Sequence, residues 1–275
     1  MRSILITGCS SGIGYDAAIT LHQQGWHVLA TCRKQADCER LQQLGLESYT
    51  LDYADSDSVV SGAERALEIT NGKLDAVFNN GAFGMPGLVE DLPRDALRTI
   101  FETNLFGQVE LSNKLLPAMS ELDRAYMVFN SSVLGFAGMP YRGAYCASKF
   151  AMEGIVDTLR LEQRHTNLQI VLIEPGPITS RIRQNAIPHF ERWINHESSR
   201  QAARYQKELL PRLYKDTDKP DRFELPASAV TDKLIRVLDN PKPRPRYYVT
   251  VPTYLSGVAK RVLSSRLFDK FLSLG

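Results

Sequence analysis

The sequence predicts an α/β fold: a single domain whose doubly wound parallel sheet of seven strands carries helices on both faces. Three observations predict it. Short β-rich runs alternate with longer stretches of helical period, several runs are apolar throughout as in a sheet covered on both sides, and a glycine-rich turn joins the first run to the first helical stretch. At 275 residues and 43% hydrophobic content, the chain can bury a sizeable core. Its 33 Lys+Arg against 31 Asp+Glu leave a formal charge of +2 without a basic or acidic block, which argues against a dedicated nucleic-acid surface.

Taken in order, strands are expected at 3–7, 27–31, 48–51, 76–79, 126–131, 169–174 and 247–251. Helices are expected at 13–24, 57–70, 94–101, 108–120, 146–165 and 227–238, several opening after Ser, Asp or Pro. Residues 181–225 break the rhythm. They are highly charged, carry Pro188, Pro211 and Pro220, and show no strand pattern, so they read as an inserted helical lid. Within them Ile187, Phe190, Trp193, Ile194, Leu209, Leu210, Leu213 and Tyr214 recur at helical spacing, which favours packing over ligand contact. At 255–275, Val258, Val262, Leu263, Leu267, Phe271 and Leu272 interleave with Lys260, Arg261, Arg266 and Lys270, the pattern of a basic amphipathic helix. Such a helix either docks on its own domain or a partner subunit, or lies on a membrane surface.

The longest apolar runs, such as Ile170-Val171-Leu172-Ile173, fall far short of the roughly 20 residues that span a bilayer. The run after Arg2 ends at Gly8 without a cleavage site, so it reads as a buried strand, not a secretory signal. Cys9, Cys32, Cys38 and Cys146 show no C-x-x-C spacing, and a reducing cytoplasm is the expected location. His22, His27, His165, His189 and His196 form no ligand cluster, so no metal is expected.

The first strand runs into Thr7-Gly8-Cys9-Ser10-Ser11-Gly12-Ile13-Gly14 and then a helix. Strand, glycine turn and helix N-terminus together form a nucleotide-phosphate site, because glycines admit close backbone approach and unpaired N–H groups attract an anion. This is not the P-loop, which needs Lys and then Ser or Thr after the last glycine; Tyr15 and Asp16 follow here. A dinucleotide-binding Rossmann unit commonly ends its second strand on an acidic residue that holds the ribose hydroxyls. Here the strand ends Thr31-Cys32-Arg33-Lys34, so a 2′-phosphate is welcomed and NADP(H) is expected over NAD.

Tyr145 and Lys149 stand four apart in a helical run and share one face. A Lys ammonium favours tyrosinate, and a phenol drawn toward neutrality can exchange a proton with a carbonyl or alcohol oxygen. Thirteen residues before Tyr145, Ser132 follows an apolar strand and can hydrogen-bond the same oxygen.

Together these motifs resemble the classical short-chain dehydrogenases/reductases, over residues 3–251. The resemblance implies that Gly8, Ser10, Ser11, Gly12, Ile13 and Gly14 form the cofactor turn and that Asp52, in Leu51-Asp52, contacts the adenine. It implies that Asn79-Asn80-Gly81-Ala82 lies beside the cofactor, with Asn79 and Gly81 in contact and the family's Ala-Gly order exchanged. Asn104 corresponds to the helix Asn that holds a relay water, and Ser132, Tyr145 and Lys149 to the catalytic set, with Tyr145 and Lys149 also touching the cofactor. In Pro175-Gly176-Pro177-Ile178-Thr179-Ser180, the residues Pro175, Gly176, Ile178 and Ser180 match the segment at the nicotinamide carboxamide, Ser180 replacing the usual Thr. Within the family, the chain is similar to the branch of hydroxysteroid and retinol dehydrogenase-like enzymes and bacterial NADP-dependent aldehyde reductases.

The expected activity is hydride transfer between NADP(H) and the carbonyl or alcohol of a small apolar compound, an aldehyde or a retinoid- or steroid-like ketone. Phe83, Met85, Leu88, Met139, Tyr141 and residues 182–193 are the expected pocket wall. Two other readings stay open, a non-catalytic NADP sensor and a membrane-surface scaffold on the same fold. The resemblance also implies a dimer or tetramer formed through 104–120 and 145–165.

Overall fold

A computed structural model describes residues 1–215 and 221–273. Seven strands form one sheet: β1 Ser3–Thr7, β2 His27–Cys32, β3 Glu47–Thr50, β4 Ala76–Asn79, β5 Ala125–Asn130, β6 Leu168–Glu174 and β7 Arg246–Tyr248. Their order is β3-β2-β1-β4-β5-β6-β7, every pair parallel. Leu5 pairs with Leu29 on one side and Val77 on the other, so the chain reverses direction across the sheet between β1 and β4. The crevice that this reversal opens at the strands' carboxyl ends is where open α/β sheets bind ligands.

The helices are α1 Gly12–Gln23, α2 Gln35–Gln42, α3 Ser56–Ile69, α4 Arg94–Phe101, α5 Gly107–Ser120, α6 Gly143–Glu162, α7 Ile182–Trp193, α8 Ala202–Arg204, α9 Leu210–Leu213, α10 Ser228–Asp239, α11 Val251–Val262 and α12 Ser265–Leu272. Strand periodicity sorts the core into two layers. Ile4 and Ile6 face Ala17, Leu21 and Leu234 of α1 and α10, while Leu5 faces Val59, Leu111 and Val156 of α3, α5 and α6. Each of the Ile, Leu and Val side chains among them, fully buried, contributes about 1.5–3 kcal/mol.

Three departures from expectation have local causes. Helix α2 was not foreseen, because QADCERLQ buries only Cys38 and Leu41. Strand β7 covers 246–248 instead of 247–251; Pro252 sits in the first turn of α11 and Thr250 precedes that helix in an extended conformation. The basic C-terminal segment is two helices, broken at Leu263 and Ser264, both extended. They dock on the chain itself through Ala259 and Phe268, which pack with Ala137.

Residues 181–225 carry α7, α8, a π turn at Tyr205–Leu209 and α9, joined by irregular stretches such as 194–201; 216–220, including Pro220, lie outside the described residues. Phe190, Ile194, Leu209 and Leu213 pack on one another and on Tyr141, with Ile187, Trp193 and Leu210 at the edge; Tyr205, outside the helical-spacing set, joins them, and Tyr214 is exposed. Among the described residues no helix is long and apolar enough to cross a membrane.

Candidate active site

The turn after β1 is shaped for close approach. Gly8 and Gly12 hold φ angles of +70° and +59°, the left-handed region that favours glycine. A Cβ on Gly14 would stand 2.4 Å from the Gly8 carbonyl oxygen, so the first turn of α1 lies directly against the strand end. Ser11 makes no side-chain capping bond, and the first turn of α1 holds no acidic residue. The orphan N–H groups at this end are therefore left for an anion, and the cradle fits a dinucleotide pyrophosphate.

Ser10, Ser11, Gly12, Ile13 and Arg33 line one end of a groove whose floor includes Gly8, Asn80, Gly81 and Asn130. Lys34 does not line it and instead precedes α2 in an extended conformation. Arg40, on the unforeseen α2, donates to the Ser10 carbonyl at 2.5 Å and adds a second cation beside the turn. The Asp52 carboxylate accepts from the Ala54 N–H at 3.0 Å, while Leu51 and Tyr53 on either side of it face the groove.

Beneath the floor, the Thr7 hydroxyl accepts from the N–H groups of Asn80 and Gly81 at 2.9 and 3.1 Å, tying the β4 end to the β1 end. Asn79 is fully buried, accepting from the Tyr53 hydroxyl at 2.7 Å and donating to Ser112 at 3.2 Å, so the structure places it below the groove and Asn80 in it. Gly176 packs under Thr250 and Thr253, and Ile178 against the α1 layer of the core; Ser180 reaches the groove beside Gly12. The Pro175 carbonyl accepts from Val133 N–H at 2.7 Å, setting the turn that carries Ser132.

Helix α6 starts at Gly143, which puts Tyr145 in its first turn, at the carboxyl ends of the strands. The Ser132 hydroxyl accepts from the Leu134 N–H at 3.1 Å and lies near enough to the Tyr145 phenol to favour its ionised form. Lys149 is buried one turn further on and donates from Nζ to the Asn130 carbonyl at 2.7 Å, with Nζ 5.8 Å from the Tyr145 ring centre. Asn130 in turn donates to the Asn80 side chain at 2.9 Å, linking the Lys149 anchor to the groove. The α4–α5 junction is a π turn, Glu102–Phe106, an insertion frequent at functional sites. It carries Asn104, fully buried, which accepts from Phe83 N–H and donates to the Phe83 carbonyl and to Ser148 of α6.

Burial governs the electrostatics here. It pushes the Tyr145 phenol up to about 12, against the Ser132 hydroxyl and the nearby Arg142 guanidinium, which both favour the phenolate. It pushes Lys149 down to about 7, partly offset by the Glu153 carboxylate. The expected lowering of the phenol by Lys149 is not seen, since burial has the amine lose its charge well below the range in which the phenol ionises. Behind α6, Arg246 bridges Glu153, Asp157 and Glu174, locking α6 to β6 and β7; burial raises Glu174 to about 8.

Helix α7 closes the other side of the groove. Ile182, Asn185 and His189 line it, and the His189 ring stacks on Phe83 with centroids 3.9 Å apart. Burial, then Arg33 and Arg192, lower the His189 pKa. Phe83 and Met85 pack with Tyr145, joined by Leu134 and Trp193, while Leu88 and Tyr141 belong to the packing of the α7–α9 segment and Met139 is exposed. Sequence reasoning missed Asn130, which ends an apolar strand on a polar residue; Asn185 and His189 fall within the expected wall 182–193 and share the α7 face of Ile182. Among the described residues no group of three or more His, Cys, Asp or Glu is placed to hold a metal.

The family model described as short chain dehydrogenase matches residues 2–190. The uncharacterized oxidoreductase YbbO of Escherichia coli K12 is 39% identical over 274 residues, covering 98% of this chain and 94% of that protein. Retinol dehydrogenase 8 of Homo sapiens is 34% identical over 189 residues, covering 65% of this chain and 60% of that protein. Two solved structures share the fold: a short chain dehydrogenase/reductase of Burkholderia phymatum in complex with NAD (TM-score 0.75, 24% identity, 94% of this chain and 91% of that one), and a short chain dehydrogenase of Burkholderia cenocepacia in complex with NADP (TM-score 0.75, 18% identity, 99% of each chain).

Proposed function

The chain belongs to the short-chain dehydrogenases, oxidoreductases with a nicotinamide-dinucleotide-binding fold, and from that premise we propose that it transfers a hydride between NADP(H) and the carbonyl or alcohol of a small apolar compound. One observation carries the reading: the Lys149 amine, one turn beyond Tyr145 on α6 and 5.8 Å from its ring centre, is anchored at the carbonyl of Asn130, and Asn130 lines the same groove as the uncapped N-terminus of α1 and Arg33.

In this reading Gly8, Ser10, Ser11, Gly12, Ile13 and Gly14 hold the pyrophosphate. Arg33, with Lys34 and Arg40 close by, faces the 2′-phosphate. Asp52, Gly81, Pro175, Gly176, Ile178 and Ser180 frame the rest of the cofactor, and Asn79 acts by fixing Tyr53 below it. The bound nicotinamide supplies or accepts the hydride. Tyr145, kept protonated by burial, gives its proton to the carbonyl oxygen in reduction, and Ser132 donates a hydrogen bond to that same oxygen. Lys149, held at the Asn130 carbonyl, binds the nicotinamide ribose and restores the phenol's proton, and Asn104 is the residue through which that proton reaches bulk water. The apolar neighbours of Tyr145, Phe83, Met85, Leu134 and Trp193, favour aldehydes and retinoid- or steroid-like ketones over sugars and acids. Residues 181–225 act as the lid over that pocket. Phe106, Phe150, Ile155 and Leu161, exposed on or beside α5 and α6, are the contacts by which two copies pair.

The test follows loss of reduced-nicotinamide absorbance with NADPH or NADH and a panel of medium-chain aldehydes, retinal and steroid ketones. Consumption of NADPH well above NADH on at least one of them supports the reading. Tight NADPH binding with silence across the panel refutes the substrate class, and preference for NADH refutes the cofactor.

A further inference from the structure

Helix α11 is only half covered. Its inner face carries Thr253, Ser256, Gly257 and Ala259, all buried, with Gly257 against the Tyr248 ring. Its outer face carries Val251, Leu255, Val258 and Val262 at i, i+4, i+7 and i+11, with Tyr254 between them, and these five are 48% to 71% exposed. Leu267 on α12 adds a sixth exposed apolar side chain. Surface helices normally turn such a stripe inward. Over the described residues 251–273, Lys260, Arg261, Arg266 and Lys270 accompany the stripe against one carboxylate, Asp269, and all four cations are exposed.

We propose that the outer face of α11, with the cations of α11 and α12, seats the protein on an anionic phospholipid surface. An apolar stripe edged by cations is the arrangement that inserts between acyl chains while its charges meet headgroup phosphates. A second copy of this chain is disfavoured as occupant by the same charges. A two-fold contact sets a patch against itself, which places these cations opposite one another with two Asp269 carboxylates between them. The location agrees with the chemistry. α11 begins close after the carboxyl end of β7 and packs on Gly176, and its Ala259, with Phe268 of α12, rests on Ala137 close after Ser132. The apolar face thus lies at the same end of the sheet as Tyr145, where an apolar compound dissolved in lipid would be delivered.

The experiment sediments the full-length protein with vesicles of phosphatidylcholine alone and of phosphatidylcholine with phosphatidylglycerol, beside Val258→Glu/Val262→Glu and Arg266→Glu/Lys270→Glu. Thermal melting by circular dichroism checks that these exposed positions leave the fold intact. Expected is co-sedimentation with the anionic vesicles that weakens as salt screens the charges. The apolar pair of substitutions should lower the bound fraction about tenfold on either vesicle, and the charge pair should lower it on the anionic vesicles alone. A wild-type protein that stays in the supernatant, or a wild-type dimer that Val258→Glu/Val262→Glu dissolves, overturns the proposal.

Discussion

The glycine cradle and the α7–α9 cover face each other across one groove and are held by different means. The cradle is fixed by main chain: positive φ at Gly8 and Gly12, Gly14 against the Gly8 carbonyl, and a Thr7 hydroxyl that accepts two N–H groups of the β4 loop. The cover is fixed by side chains, an apolar cluster of Phe190, Ile194, Tyr205, Leu209 and Leu213 on Tyr141 with polar tips around it. Phe83 stacks on His189, Arg183 pairs with Asp221 at 2.8 Å, Tyr141 donates to Glu208 at 2.9 Å and Tyr205 to Asp91 at 2.8 Å. Backbone contacts have no alternative arrangement, whereas partly solvated ion pairs and a ring stack exchange for water at small cost. The phosphate end of the groove is thus set by main chain and its far side by side chains, and in the proposed function it is this far side that admits the substrate.

Substitutions in the cradle should therefore cost far more than substitutions in the cover. The largest effect is expected for Gly14→Ala. Its methyl has to displace the Gly8 carbonyl, which should lower stability by roughly 1–3 kcal/mol and weaken NADPH about a hundredfold or more, read by melting and by fluorescence titration. Unchanged NADPH affinity would show that the turn yields and would erase the contrast.

Lys149 comes next. Its native pKa lies near 7 against an ordinary value of 10.5, so between those limits the unfolded chain keeps a proton that the native chain has released. Stability then rises with pH across the window. Relative to Lys149→Met, the wild type should gain about 2 kcal/mol between pH 7 and pH 9 in denaturant titrations. A difference that stays flat would mean that the amine remains charged when buried.

Arg33→Ala should weaken NADPH by about tenfold, the value of one hydrogen bond to a charged group, and leave NADH nearly unchanged. An unaltered ratio of the two would remove Arg33 from the 2′-phosphate. The smallest effect is expected in the cover. Asp221→Asn, which weakens its partly exposed pairs with Arg183 and Arg212, should cost less than about 1 kcal/mol and leave NADPH binding alone; a loss comparable to that of Gly14→Ala would break the comparison.

The same contrast explains what the sequence revealed. The strands of the sheet center, the glycine turn and the Tyr145-Lys149 spacing were legible because each is written in local backbone demands: apolar runs, φ-permissive residues, helical period. Helix α2 was not, since only Cys38 and Leu41 anchor it and Arg40 reaches the turn from within it. The run Tyr247-Tyr248-Val249-Thr250-Val251 reads as strand by its β-branched residues, yet Pro252 turns its end into a helix start. The state of Tyr145 was misjudged for another reason. Spacing along a helix reports that Lys149 is near, but burial, which acts on both groups and sets both pKa values, comes from the tertiary packing. The role of Asn130, a carbonyl for Lys149 and an amide for Asn80, depends on three segments meeting and leaves no periodic trace.

The most direct measurement compares Tyr145→Phe with the wild type in two readouts, NADPH affinity and turnover of the best aldehyde. The account predicts affinity within a few-fold and turnover lower by about a thousandfold, because the cradle is untouched and the proton donor is gone. A Phe variant that turns over near the wild-type rate would contradict it.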